Sequence, residues 1–111
     1  MDMKVEQSGD VTIVAINDRF EAATADEYRT TMYDLAEKGH LKVVLDFGKT
    51  AFIDSSALGS LVSSVRKFRQ HEGDIKFACM NEQVRPLVKI VRLHRIFDIF
   101  DSVDTAVSSF S

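Results

Sequence analysis

A chain of 111 residues has the length of one domain and can enclose one apolar core. Its 45% hydrophobic and 28% charged residues exclude a disordered polar chain, and its single cysteine excludes an internal disulfide framework. The formal net charge of −3 argues against nucleic acid as a partner, because non-specific binding there rests on a basic surface.

Residues 3–7 (MKVEQ) alternate as a short strand, and Ser8-Gly9-Asp10 supplies a turn. Residues 11–16 (VTIVAI) form a β-branched second strand, so the chain opens on a candidate hairpin. Residues 17–23 (NDRFEAA) read as a loop carrying Phe20. A helix follows: Thr24 and Glu27 have capping-box spacing, and Ala25, Tyr28, Met32, Leu35 and Ala36 fall on one face. Gly39 ends it. Residues 41–47 (LKVVLDF) are the nearly continuous apolar run of a strand buried on both faces.

Residues 48–54 (GKTAFID) read as a second loop, followed by a helix with Ser55 at its N-cap. Leu58, Leu61, Val62, Val65 and Phe68 make the apolar stripe of that helix, with Ser60, Ser63, Ser64 and Lys67 off it. His71-Glu72-Gly73-Asp74 stops it, and residues 75–80 (IKFACM) form another strand in which Cys79 reads as a small core residue. Asn81 caps a third helix with Val84, Leu87, Val88 and Val91 on one face, and Pro86 predicts an irregular or late start. Residues 95–100 (RIFDIF) hold a last short strand, and Ser102 caps a final helix running to Phe110. Strands alternating with helices imply βαβ units: a single α/β domain over residues 1–111, with a mostly parallel sheet of about five strands and four helices.

His40, His71 and His94 lack metal-ligand spacing, and no glycine-rich phosphate loop or nucleophile elbow is present, so neither metal nor cofactor is expected. No apolar run approaches the ~20 residues of a membrane span. The opening MDMKVEQSGD has no signal-peptide core, which predicts a cytoplasmic protein. Arg66, Lys67 and Arg69 form one basic cluster and Arg85, Lys89, Arg92 and Arg95 a second; both read as solvated faces that can present local positive charge.

The paired serines carry the functional question. Ser55 is either a plain helix cap or a group that can carry a phosphoryl at a helix end, where negative charge is tolerated. The stretch VVLDFGKTAFIDSSALGSLV resembles the segment around the phosphorylation site of bacterial STAS-domain anti-sigma factor antagonists, a strand and short loop followed by Asp-Ser-Ser/Thr-Gly-Leu-Gly. Asp54, Ser55, Ser56, Leu58 and Gly59 match, while Ala57, Asn17 and Glu21 stand where that family has Gly, Gly and Asp. DRFEAATADEY and LHRIFDIFDSVDTAV resemble its earlier loop and its C-terminal end, so the likeness spans the chain.

The resemblance implies a STAS fold and a non-catalytic partner switch. The unphosphorylated form would bind a serine-kinase anti-sigma factor, phosphorylation of Ser55 would abolish binding, and a PP2C-type phosphatase would restore it. Ser56 is the secondary acceptor. Phe20, Glu21, Asp54, Ser56 and Gly59 are assigned to the partner-facing surface, Phe20 being open between a lid on the core and an exposed anchor. The alternatives are a constitutive STAS binding subunit of a transporter or signalling scaffold, and a small hydrolase using Ser55 or Ser56 as nucleophile.

Overall fold

A short strand, a tight turn and a β-branched second strand start the architecture. In the computed structural model, which describes residues 3–90 and 98–111, β1 (Met3–Ser8) and β2 (Val11–Ile16) pair antiparallel from Met3↔Ile16 to Ser8↔Val11. Gly9 supplies the left-handed turn residue at φ +63°. Beside β2 lies β4 (Lys42–Asp46), then β6 (Asp74–Ala78), then β7 (Ile99–Phe100), all parallel, giving the order β1-β2-β4-β6-β7. The helices are α1 (Ala22–Glu37), α2 (Ser55–Gln70), α3 (Arg85–Ile90) and α4 (Val103–Ser108). This is the expected α/β domain, with a five-stranded, mostly parallel sheet.

Strand alternation decides which helix covers which face. Val14, Ile16, Val43, Leu45, Ile75 and Phe77 face α1, α2 and α3 in the main core. Val11, Val44 and Ala78 face α4 on the other side.

Two segments that read as loops are strands. Asp18–Phe20 (β3) and Thr50–Ile53 (β5) pair parallel as a separate two-stranded sheet, with Arg19 opposite Phe52 and Phe20 opposite Ile53. Strands of three and four residues are too short for a period of two to show. The pair is anchored by its buried members, Phe20 and Ile53, and by the Thr50 hydroxyl, which donates to the Ile16 carbonyl.

The helix ends correct two further expectations. α1 starts after Glu21 rather than at Thr24, which lies buried in the first turn, so no capping box forms between Thr24 and Glu27. Phe20, locked into β3 and the core, fixes where the chain can turn into the helix. At the other end, Gly39 at φ +83° closes a Schellman motif: Gly39 N–H donates to Ala36 O at 3.1 Å and His40 N–H to Leu35 O at 2.9 Å. α2 closes the same way, but the left-handed residue is Glu72 at φ +63°, not Gly73. Gly73 is needed for close approach, since a Cβ there would lie 2.8 Å from the Leu41 carbonyl oxygen.

Ser60 and Ser64, expected off the apolar stripe of α2, are fully buried. Each hydroxyl returns to a carbonyl three residues back, Ala57 and Leu61, so neither is left unpaired inside. The Ser64 proton goes to Leu61, so the Tyr28 hydroxyl, 2.6 Å away, donates to Ser64 Oγ and ties α1 to α2.

The strand read as 75–80 ends at Ala78, and Cys79 follows it at φ +62°, half-buried. Burial, then the nearby Asp46 carboxylate, pushes its thiol up, which suppresses nucleophilicity. Asn81 Oδ1 accepts from the N–H groups of Gln83 and Val84, and α3 begins only at Arg85, the late start that Pro86 predicts. Val91, Arg92, His94 and Arg95 lie outside the described residues. Ser102 caps α4 as expected, accepting from Thr105 N–H, but the helix ends at Ser108 rather than Phe110.

Two stability tests follow from the packing. Gly73→Ala should lower the unfolding free energy by about 1–3 kcal/mol in urea, because the added methyl meets backbone. Burial holds the Tyr28 phenol far above its ordinary 10.0. A pKa raised by folding contributes stability that is complete below the unfolded value and is lost as pH climbs past it. Wild-type stability should therefore fall as pH rises above about 10, and Tyr28→Phe should fall less steeply, measured by urea unfolding across that range.

Candidate functional site

The site is built where β5 runs into α2, and Asp54 is the joint. Its backbone is extended, with φ −101° and ψ −179°, and its carboxylate Oδ1 accepts from the Ala57 N–H at 2.9 Å. Its own N–H donates to the Phe20 carbonyl at 3.2 Å, and its carbonyl accepts from Leu58 N–H at 3.1 Å. Asp54, and not Ser55, is therefore the N-cap. A carboxylate there also complements the positive end of the helix dipole.

This correction changes what Ser55 is. Ser55 and Ser56 are the first two residues of α2, both exposed, and neither hydroxyl bonds to another described residue. The cap duty has passed to the neighbour, leaving two surface hydroxyls without a partner among the described residues. Ala57, in place of the family's glycine, is fully buried, so its methyl faces the core and leaves the outer surface of the helix start unchanged.

Gly59 is exposed, and a Cβ built on it would meet nothing within 4 Å. Ser55, Gly59, Val62, Ser63 and Arg66 recur at helical spacing on one outward stripe of α2. From Gly59 downward the stripe lines a groove of about 450 Å³ against α1, where Tyr33 forms the other wall and Arg66 and Lys67 supply positive charge. Lys67 is tied to Glu37 across the groove at 2.7 Å.

Phe20, assigned to the partner-facing surface but left open between a lid on the core and an exposed anchor, does not reach the surface. It is fully buried, meeting Tyr28 edge-on with ring centroids 5.2 Å apart. It is the lid on the core, and it supports the site from below through its carbonyl to Asp54. Glu21 does reach the surface, but not as a free carboxylate: Arg19 grips both its oxygens at 3.1–3.2 Å. The Arg19 guanidinium lies 4.3 Å above the ring of Phe52, which is 39% exposed. Sequence reading missed both Arg19 and Phe52. Arg19 and Glu21 share a face only once 18–20 is known to be a strand, and Phe52 meets Arg19 only through the β3–β5 register.

Of the two described histidines, His71 caps the far end of α2, about 24 Å from Ser55 by helix rise. His40 follows the C-terminus of α1. Among the described residues no cluster of His, Cys, Asp and Glu could hold a metal ion, and no helix is long and apolar enough to cross a membrane.

The start of α2 presents an exposed serine pair beside its capping aspartate, and comparison with known proteins gives the class. The STAS domain model matches residues 2–106, and the chain belongs to that non-catalytic family. It is 24% identical to the anti-sigma F factor antagonist of Paenibacillus polymyxa over 109 residues, 97% of this chain and 93% of that protein. The crystal structure of TM1081 from Thermotoga maritima superposes with a TM-score of 0.90 at 24% identity, covering 96% of this chain and 92% of that one. The anti-sigma factor antagonist SpoIIAA is similar in fold in both its unphosphorylated form (TM-score 0.77, 12% identity, 96% and 94% covered) and its phosphorylated form (0.81, 13%, 98% and 99%).

The division of labour at the helix start can be measured by urea unfolding of three variants. Asp54→Ala should cost about 1 kcal/mol as the cap is lost. Ser55→Ala should stay within about 0.5 kcal/mol of wild type. Gly59→Ala should gain about 0.5–1 kcal/mol, because nothing in the domain itself requires glycine there.

Proposed function

We propose that this protein is a phosphorylation-switched anti-sigma factor antagonist acting in the cytoplasm. In its unphosphorylated form it binds a serine-kinase anti-sigma factor across the start of α2, with Glu21, Ser56 and Gly59 on the contact surface and Asp54 holding that surface in place. The kinase transfers the γ-phosphoryl of ATP to Ser55 Oγ. The new P–O bond forms as the bond to the bridging oxygen of ADP breaks, and the hydroxyl proton is released. A PP2C-type phosphatase hydrolyses the ester and restores the binding form. The observation that carries this reading is the exposed Ser55 hydroxyl, without a partner among the described residues, beside an aspartate that has taken over the cap.

The physics of the switch is local. A phosphoryl group adds about 1.5–2 negative charges at neutral pH. On an exposed first-turn residue that charge sits in water and disturbs no packed side chain. In an interface it would be desolvated beside Asp54 and Glu21, and like charges brought together there oppose association. Fold and affinity are thereby separated: the modification leaves the first intact and removes the second. SpoIIAA, with the same fold, exists in both forms.

Incubation with the cognate kinase and ATP, followed by phosphopeptide mapping, should place the phosphate on Ser55. Ser55→Asp should weaken kinase binding by about tenfold or more, measured by calorimetry, while Ser55→Ala binds like wild type and is not modified. A Ser55 that stays unmodified, together with a Ser55→Asp protein that binds as tightly as wild type, would overturn the proposal. It would leave a constitutive binding subunit as the better description.

A further inference from the structure

Arg19 is absent from the sequence-based site, yet the fold brings it to the edge of it. It stands opposite Phe52 in the β3–β5 pair, three residues before Ser55 along the adjoining strand. Stacking on the Phe52 ring at 4.3 Å restrains the guanidinium, so it is held over the strand rather than free in solvent. The carboxylates acting on it are Glu21 first, then Asp18 and Asp54, which places the charge within electrostatic reach of the residue next to Ser55.

The Arg19–Glu21 pair is weakly held. Its side chains are 54% and 42% exposed, and exposed ion pairs contribute little net stability. A guanidinium fork binds a phosphate in the same bidentate manner as a carboxylate, and a phosphoserine offers up to twice the charge. The pair is therefore poised to exchange.

We propose that Arg19 is a phosphate-responsive element of the switch: when Ser55 carries a phosphoryl group, the guanidinium leaves Glu21 and pairs with the phosphate, uncovering the Glu21 carboxylate. This rests on the reading of Ser55 as the acceptor. One modification then changes the surface at two places. The phosphate is held by Arg19 in a fixed position, and an acid that was neutralised in the unmodified form becomes free. A partner that tolerates the Arg19–Glu21 pair meets an unpaired carboxylate after phosphorylation. Arg19 is a positioning residue here, since it acts through the phosphate and Glu21.

The test uses the full chain with phosphoserine installed at position 55 by chemical ligation, so that the result does not depend on any kinase. Phosphorus NMR follows the second ionisation of the phosphate in wild type and in Arg19→Gln, both of which retain the exposed site without touching the core. Arg19→Gln should raise that pKa by about half a unit. In the wild-type protein the Arg19 Nε–H cross-peak should move on phosphorylation, and it should stay put in an unphosphorylated control at the same pH. A phosphate pKa unchanged by Arg19→Gln, or an Arg19 cross-peak that keeps its Glu21-bound position in the phosphorylated protein, overturns the proposal. A kinase that fails to modify Ser55 would defeat the parent reading and leave this result untouched.

Discussion

Asp54 has every polar group committed, and the commitments run in three directions. The amide N–H reaches back to Phe20 and clamps β5 to the end of β3. The carbonyl enters the helix through Leu58, and the carboxylate closes the helix start on Ala57. Strand pair, core lid and helix meet at one residue. The site depends on that junction, because it fixes the direction in which α2 leaves the sheet and so which residues of its first turn face outward.

Beneath the junction the packing is tight and fully satisfied. Ser60 and Ser64 are small enough to let α1 approach α2, and their hydroxyls find carbonyls inside the helix, so hydrogen bonds offset the cost of burying them. Phe20 and Tyr28 fill the space between the helices and the small sheet. A rigid, saturated base of this kind separates surface from core. Charge added at Ser55 has nothing beneath it to rearrange, and its effects fall on the exposed residues beside it: Glu21, Arg19 and the stripe that leads through Gly59 into the α1–α2 groove.

Much of this was legible in the sequence. Apolar runs gave β4 and β6, Gly39 gave the end of α1, and the Asp-Ser-Ser stretch marked the start of α2. What escaped were features that exist only through pairing. β3 and β5 are too short to show a period, and each is a strand because the other is beside it. Arg19 and Phe52 are ordinary residues until that register sets one over the other. The placement of Phe20 inside, and of Ser60 and Ser64 on the buried side, follows from how closely α1 and α2 pack, which no single-helix stripe reports. The cap fell to Asp54 rather than Ser55 because the extended pairing of β5 stops one residue earlier than a serine cap requires. Both residue types suit the position, so local propensity does not choose between them.

Under the proposed switch, a phosphoryl group on Ser55 would alter the surface and leave the fold alone. Backbone amide spectra of the unmodified and Ser55-phosphorylated proteins test it most directly. Shift changes should be confined to residues 18–21 and 50–59, with the amides of Val43–Leu45 and Ile75–Phe77 unmoved and the unfolding midpoint nearly constant. Changes spread through those central strands, or a loss of stability beyond about 2 kcal/mol, would contradict it.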